Sequence, residues 1–164
     1  MTTVAYAAVT RSGLSFDRQL WMRPEIIPGL RRLTDAVHAE GAAAGIQLGH
    51  CGNMSHKSIC GCTPVGASGG FNLYSPTFVR GLRADELPEL ARAYGRSVNL
   101  AREAGFDAVE IHAGHGYLIS QFLSPATNHR KDEFGGSLQN RMRFMDMVLE
   151  EVMKAAGNDM AVLV

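Results

Sequence analysis

The sequence predicts an α/β fold built on a parallel sheet, and two observations lead there. Segments with apolar residues three and four apart alternate with short runs in which every second residue is apolar, the periods of a helix and a strand. They follow one another as helix, strand, long loop, helix, strand, helix, strand, the order of repeated βα units.

Residues 1–27 show no clear periodicity, although Val4 to Val9 can form a short extended piece before a turn at Ser12-Gly13. Pro28 suits a first helical turn, and Leu30, Leu33 and Val37 share one face up to a stop at Gly41. Ala43 to His50 then reads as a buried strand. Ile46 and Leu48 point to the helix layer, while Gly45, Gln47 and Gly49 point the other way and leave room for something flat. Residues 51–81 are rich in Gly, Ser, Asn and Pro and read as one long loop. Loops of that length usually serve as lids or binding surfaces.

A second helix spans about Asp85 to Ala104, with Leu87, Leu90, Ala91, Tyr94, Val98 and Ala101 in register and Gly105 as its stop. Asp107 to His112 is the next strand. Ser137 is placed to cap a third helix, in which Met145, Val148, Leu149 and Val152 repeat at helical spacing. Gly157-Asn158 ends it, and Met160 to Val164 begins another strand. Three parallel strands cannot close a barrel, so this reading leaves two open sheet edges, which another chain could cover.

Composition narrows the function. Sixteen Lys and Arg balance sixteen Asp and Glu, with no basic stripe, which argues against nucleic acid or an anionic membrane surface as partner. No apolar run approaches the roughly 20 residues that span a bilayer, and MTTVAYAAVTRSG lacks the charged and apolar regions of a signal peptide. The expected location is the cytoplasm. All three cysteines lie between Cys51 and Cys62, an odd number that does not make a disulfide scaffold. His50, Cys51, His56, Cys60 and Cys62 offer soft ligands, but their spacing is irregular and Cys-x-Cys is not the usual zinc knuckle. No metal is therefore expected.

The chemistry concentrates between Gly105 and Phe144. Val109 and Ile111 form the apolar face of the strand, whereas Glu110 and His112 share the opposite face, where each buried polar group needs a partner. His115 and Tyr117 follow at once, so three proton or hydrogen-bond donors leave one strand end.

The stretches IQLGH at 46–50, EIHAGHGYLISQFLSP at 110–125 and NHRKDEFGGSLQNRMRF at 128–144 resemble the old yellow enzyme family of FMN-dependent oxidoreductases, on the side of the 2,4-dienoyl-CoA reductases and NADH:flavin oxidoreductases. The resemblance implies a partial TIM (β/α)8 barrel, roughly from the second helix to the fifth strand, with residues 1–164 a single fragment of an FMN-binding barrel domain. The first two strands would be absent, and the 51–81 loop would lie over the catalytic face. The implied cofactor is FMN with NAD(P)H as reductant, and the implied substrate a small molecule with an activated alkene, such as an enone or a dienoyl thioester.

Gln47 would hydrogen-bond the flavin pyrimidine edge. His112 and His115 match the pair that binds the substrate carbonyl, and Tyr117 the residue that supplies the proton. Arg130, Asp132, Asn140 and Arg141 match positions that tie the loop after the strand to the next helix. Asn53 departs from the arginine common in the family, and the family's flavin arginine and phosphate loops fall after Val164. The competing reading is an inactive truncated piece, or one part of a split or longer enzyme.

Overall fold

The computed structural model describes residues 1–164. In chain order the elements are β1 (Thr2–Ala8), α1 (Ile27–Ala39), β2 (Ala44–Gly49), α2 (Lys57–Cys60), β3 (Val65–Gly66), β4 (Gly70–Asn72), β5 (Thr77–Gly81), α3 (Leu87–Glu103), β6 (Ala108–Ile111), α4 (Leu118–Leu123), α5 (Leu138–Ala156) and β7 (Ala161–Leu163). Strands β1, β2, β6 and β7 form one sheet in that order, and every pair is parallel. The expected α/β fold is present as an open sheet.

One face of the sheet carries the core. Ile46, Leu48, Val109 and Ile111 are fully buried against Leu30, Leu90, Val98, Phe144, Val148 and Val152 of the helices. Burying each such side chain is worth roughly 1.5–3 kcal/mol, so this helix-facing layer holds the sheet together. Helices α3 and α5 cross tightly, because a side chain at Gly95 would come within 3.0 Å of the Glu151 carbonyl. Ser137 caps α5 as its spacing predicts, its side chain accepting from the Asn140 N–H. At the head of β6 the Asp107 carboxylate accepts the Ala44 N–H at 2.7 Å and so fixes β2 against β6.

Three features differ from the sequence reading. The sheet has four strands instead of three, because the N-terminal residues pair with β2 along Thr2↔Ala44 to Ala8↔Gly49. The short extended piece expected near Val4 to Val9 is thus a full sheet strand that starts at Thr2. Its apolar pattern is weak because Thr2, Thr3 and Ala5 are exposed at the sheet edge. The 51–81 segment is not an unstructured loop: β3, β5 and β4 make a second small sheet, with β4 and β5 an antiparallel hairpin in which Phe71 faces Phe78. Helix α4 was not foreseen, since six residues are too few to display a helical period.

Candidate active site

The face of the sheet away from the helices carries Gly45, Gln47 and Gly49 on β2 and Ala108, Glu110 and then His112 on β6. Register places Gln47 beside Glu110, and the Gln47 Nε2 donates to Glu110 Oε1 at 2.8 Å. That is the only hydrogen bond of the Gln47 side chain, so its carbonyl oxygen and second amide hydrogen remain free. A free donor and acceptor on one planar amide, with glycines on either side, suit the edge of a flat polar heterocycle such as the pyrimidine side of a flavin. The residues present therefore fit FMN.

His112 follows β6 directly and is anchored by its backbone N–H, which donates to the Leu48 carbonyl. Three residues on, His115 brings its Nδ1 to 3.3 Å from the His112 Nε2, with ring centroids 5.0 Å apart. Two ring nitrogens at that separation can both reach a single oxygen at hydrogen-bond distance. Burial, and then the neighbouring His115, lower the His112 pKa and so favour the neutral imidazole. His115 adopts a left-handed backbone, φ 55°, followed by Gly116 at φ 69°. For a residue with a Cβ this costs about 1 kcal/mol, and strain of this kind concentrates at functional sites. The turn is what folds His115 back onto His112.

Tyr117 packs its ring edge-on against His112, centroids 4.9 Å apart, so the three residues singled out from sequence do converge. Gln47 lies one inward-facing layer below them on the same face.

Two contributors were missed by sequence reasoning. Tyr6 packs its ring at 5.1 Å from Tyr117 and 5.8 Å from His112, and its hydroxyl donates to the Gly13 carbonyl at 2.7 Å. It occupies the space that a side chain at Gly49 would need, 2.6 Å from where that Cβ would lie. Simple alternation along β1 turns Tyr6 away from this face; a break in register between Val4 and Ala7 turns it in. Gln121 is the other. Fully buried in α4, it donates to the carbonyls of Gly116 (2.7 Å) and Cys51 (3.2 Å) and to Asn53 Oδ1 (2.9 Å), and accepts the Asn53 N–H. It ties the His115 turn to the loop after β2 and gives Asn53, the departure noted in sequence, a defined partner.

His50 is structural. Its Nδ1 accepts the Gly52 N–H at 3.0 Å, so Nε2 carries the proton and donates to Ser12 Oγ at 3.0 Å. Full burial lowers its pKa to about 4. No three of the histidines, cysteines and carboxylates come together as a metal-binding group.

Of the residues expected to tie the next loop to the following helix, Asn140 and Arg141 do so from the start of α5, whereas Arg130 and Asp132 fasten the loop to the segment around β3 and β5. Arg130 grips Asp132 through Nε and Nη2 (2.9 and 2.5 Å) and donates from Nη1 to the carbonyls of Ala67 and Leu82. Asn140 donates to the Gly135 carbonyl, and Arg141 to those of Leu123 and Gly136.

Comparison with known proteins places this arrangement. The chain is 42% identical over 162 residues to a 4,4'-dithiodibutanoate disulfide reductase of Rhodococcus erythropolis, covering 99% of this chain and 40% of the relative. It is 39% identical over 150 residues to an NADPH dehydrogenase of Bacillus subtilis, covering 91% of this chain and 44% of that protein. Among solved structures, an old yellow enzyme homologue from Zymomonas mobilis superposes with a TM-score of 0.90 at 33% identity, over 98% of this chain and 49% of the other. Morphinone reductase in complex with tetrahydroNAD superposes at 0.91 and 28% identity, over 98% and 50%. The chain thus spans somewhat less than half the length of these curated relatives, and its open sheet corresponds to part of their barrel. The sequence profile of the NADH:flavin oxidoreductase / NADH oxidase family matches residues 1–164 throughout, and the chain belongs to that family.

Proposed function

We propose that this chain supplies the substrate-binding and proton-delivering part of an FMN-dependent, NAD(P)H-driven oxidoreductase that reduces activated C=C bonds, such as those of enones or dienoyl thioesters. Residues 1–164 are read as one stretch of its FMN-binding barrel domain, with the open edges at β1 and β7 covered by the remainder of a barrel or by another chain. The observation that carries the reading is the His112–His115 pair, two imidazole nitrogens 3.3 Å apart, on the same sheet face as the free amide edge of Gln47.

Gln47 would hold the pyrimidine edge of FMN, and FMN, when bound, supplies the hydride chemistry. The rest falls to side chains of this chain. In the absence of substrate the two imidazoles contact each other; a substrate carbonyl oxygen replaces that contact and accepts an N–H from each. As the alkene is reduced, negative charge collects on that oxygen, and both hydrogen bonds strengthen just when they lower the barrier. A neutral His112 suits this role, since it donates without a full charge that substrate binding would have to desolvate. Tyr117, held edge-on to His112, delivers the proton to the alkene carbon. Tyr6 packs against the rings of both His112 and Tyr117 and supports their placement.

The test is to purify the protein and record its visible spectrum, then add a reduced nicotinamide and an enone without oxygen. Retained flavin that bleaches with NADH or NADPH and recovers with the enone supports the proposal. The rival reading, a piece without catalysis of its own, is motivated by the limited share of its relatives that the chain spans. It predicts a colourless protein whose folding FMN does not alter.

A further inference from the structure

Cys60 and Cys62 lie outside the site described above, and the structure sets them together. The short helix α2 ends at Cys60, and Gly61 takes a left-handed conformation, φ 75°, that turns the chain so that both side chains fall on one side. The Cys62 thiol points at the Cys60 sulfur, 3.5 Å away, and the Cys60 thiol is within 3.1 Å of the Cys62 carbonyl. Cys60 is 2% exposed whereas Cys62 is open to solvent at one end of a cavity of about 630 Å³. The Arg11 guanidinium lies against Gly61, 3.0 Å from where a side chain would start, and Arg80 lines the same cavity. Both favour negative charge on Cys62.

We infer that Cys60-Gly61-Cys62 is a redox dithiol that exchanges with low-molecular-weight disulfides and closes into a reversible intramolecular disulfide. The two sulfurs need to approach from contact to bonding distance, about 2.05 Å, a rotation of side chains that flank a single glycine. Burial opposes charge on Cys60, but hydrogen bonds from Ser55 and Cys62 outweigh it and hold that thiol below the ordinary cysteine range. Burial and the neighbouring Cys60 keep the Cys62 thiol above it. The Cys62 thiol is directed at the Cys60 sulfur, so Cys60 is placed to take up its proton.

The exchange balances as follows. Cys62 Sγ passes its proton to Cys60 and attacks one sulfur of the disulfide, whose S–S bond breaks and releases the first thiolate. Cys60 then loses its proton to that leaving thiolate and attacks Cys62 Sγ, breaking the mixed disulfide and expelling the second thiolate, which is protonated by water. The dithiol is oxidised by two electrons, the small disulfide is reduced by the same two, and a thiol reductant reverses the sequence. An exposed disulfide closed over one intervening residue is of the readily reduced kind. Cys51, fully buried and raised to about 12 chiefly by burial, takes no part.

The test is to incubate the full-length native protein with glutathione disulfide, block free thiols with an alkylating reagent, and identify the 57–64 peptide by mass. The expected product is a peptide with neither cysteine alkylated and no glutathione attached, restored by dithiothreitol. Cys60→Ser should stop at a stable glutathione adduct on Cys62, and Cys62→Ser should react at least about tenfold more slowly, because the buried sulfur is the poorer attacker. Because Cys62 is exposed, its substitution leaves the fold intact, and the wild-type result stands without either variant. A wild-type peptide that stays doubly alkylated, or a Cys62→Ser protein that reacts as fast as the wild type, overturns the inference.

Discussion

Removing the Arg130 guanidinium should be among the most destabilising single changes outside the apolar core. The side chain is 8% exposed and meets a carboxylate and two main-chain carbonyls at once. Ala67 and Leu82 are themselves buried, at 2% and 7% exposure, so their carbonyls would have no water to replace the lost donors. Leaving each buried acceptor unpaired costs about 1–3 kcal/mol, and Asp132, one-third exposed, contributes less because it can rehydrate. The expected loss for Arg130→Ala is about 3–5 kcal/mol, in the range for breaking a buried ion pair. Urea unfolding of the complete protein, with cofactor conditions held fixed, measures it. Arg130→Lys should recover less than half, because an ammonium cannot reproduce the two-pronged grip on Asp132. The Arg130→Ala/Asp132→Ala double variant should be less destabilised than the sum of the singles by about 1–2 kcal/mol. A loss below about 1 kcal/mol for Arg130→Ala, or strict additivity with Asp132→Ala, would refute the reasoning.

Three other outcomes follow from the same physics. His50 has a folded pKa lowered from 6.5 to about 4, so the unfolded chain takes up its proton first; stability is complete above pH 6.5 and falls by roughly 3 kcal/mol between there and pH 4. Unfolding midpoints of wild type and His50→Asn should converge across that window, and parallel curves would count against the assignment. Tyr94 is fully buried and its hydroxyl has no partner, so Tyr94→Phe should be neutral or stabilising by up to about 1 kcal/mol in thermal melts; clear destabilisation would mean that the hydroxyl is satisfied. Gln121→Leu should lower turnover by about tenfold or more through a misplaced His115 turn while flavin content is preserved, and an unchanged rate would show that the turn holds its shape without it.

Much of this arrangement was legible in the sequence, and the exceptions have physical causes. Helices α1, α3 and α5 and strands β2 and β6 each bury an apolar face, and burial is what periodicity records. Strand β1 lies at the sheet edge with Thr2, Thr3 and Ala5 exposed, so main-chain pairing and not apolar patterning makes it a strand. The hairpin of β4 and β5 leaves Phe71 and Phe78 largely exposed, packed on each other instead of on a core, and a segment of glycine, serine and asparagine gives no cue to that pairing. At the site, Gln47 and His112 stood out because polar groups on a buried strand face need a reason, and His115 and Tyr117 because they follow His112 directly at the same strand end. Tyr6 did not, because its inward orientation depends on a local irregularity that alternation cannot reveal. Gln121 did not either, because one glutamine in an apolar run looks the same whether it is a hub or a surface residue.

The most direct test of the account is turnover of an enone by His112→Ala and His115→Ala in the complete enzyme, with flavin content measured on the same samples. Each variant should retain its flavin and be reduced by nicotinamide at the wild-type rate, yet pass electrons to the enone roughly 10²-fold more slowly, the loss expected for an oxyanion donor. Wild-type turnover in both variants would contradict it: the pair would then be structural, and the proposed substrate class would fall with it.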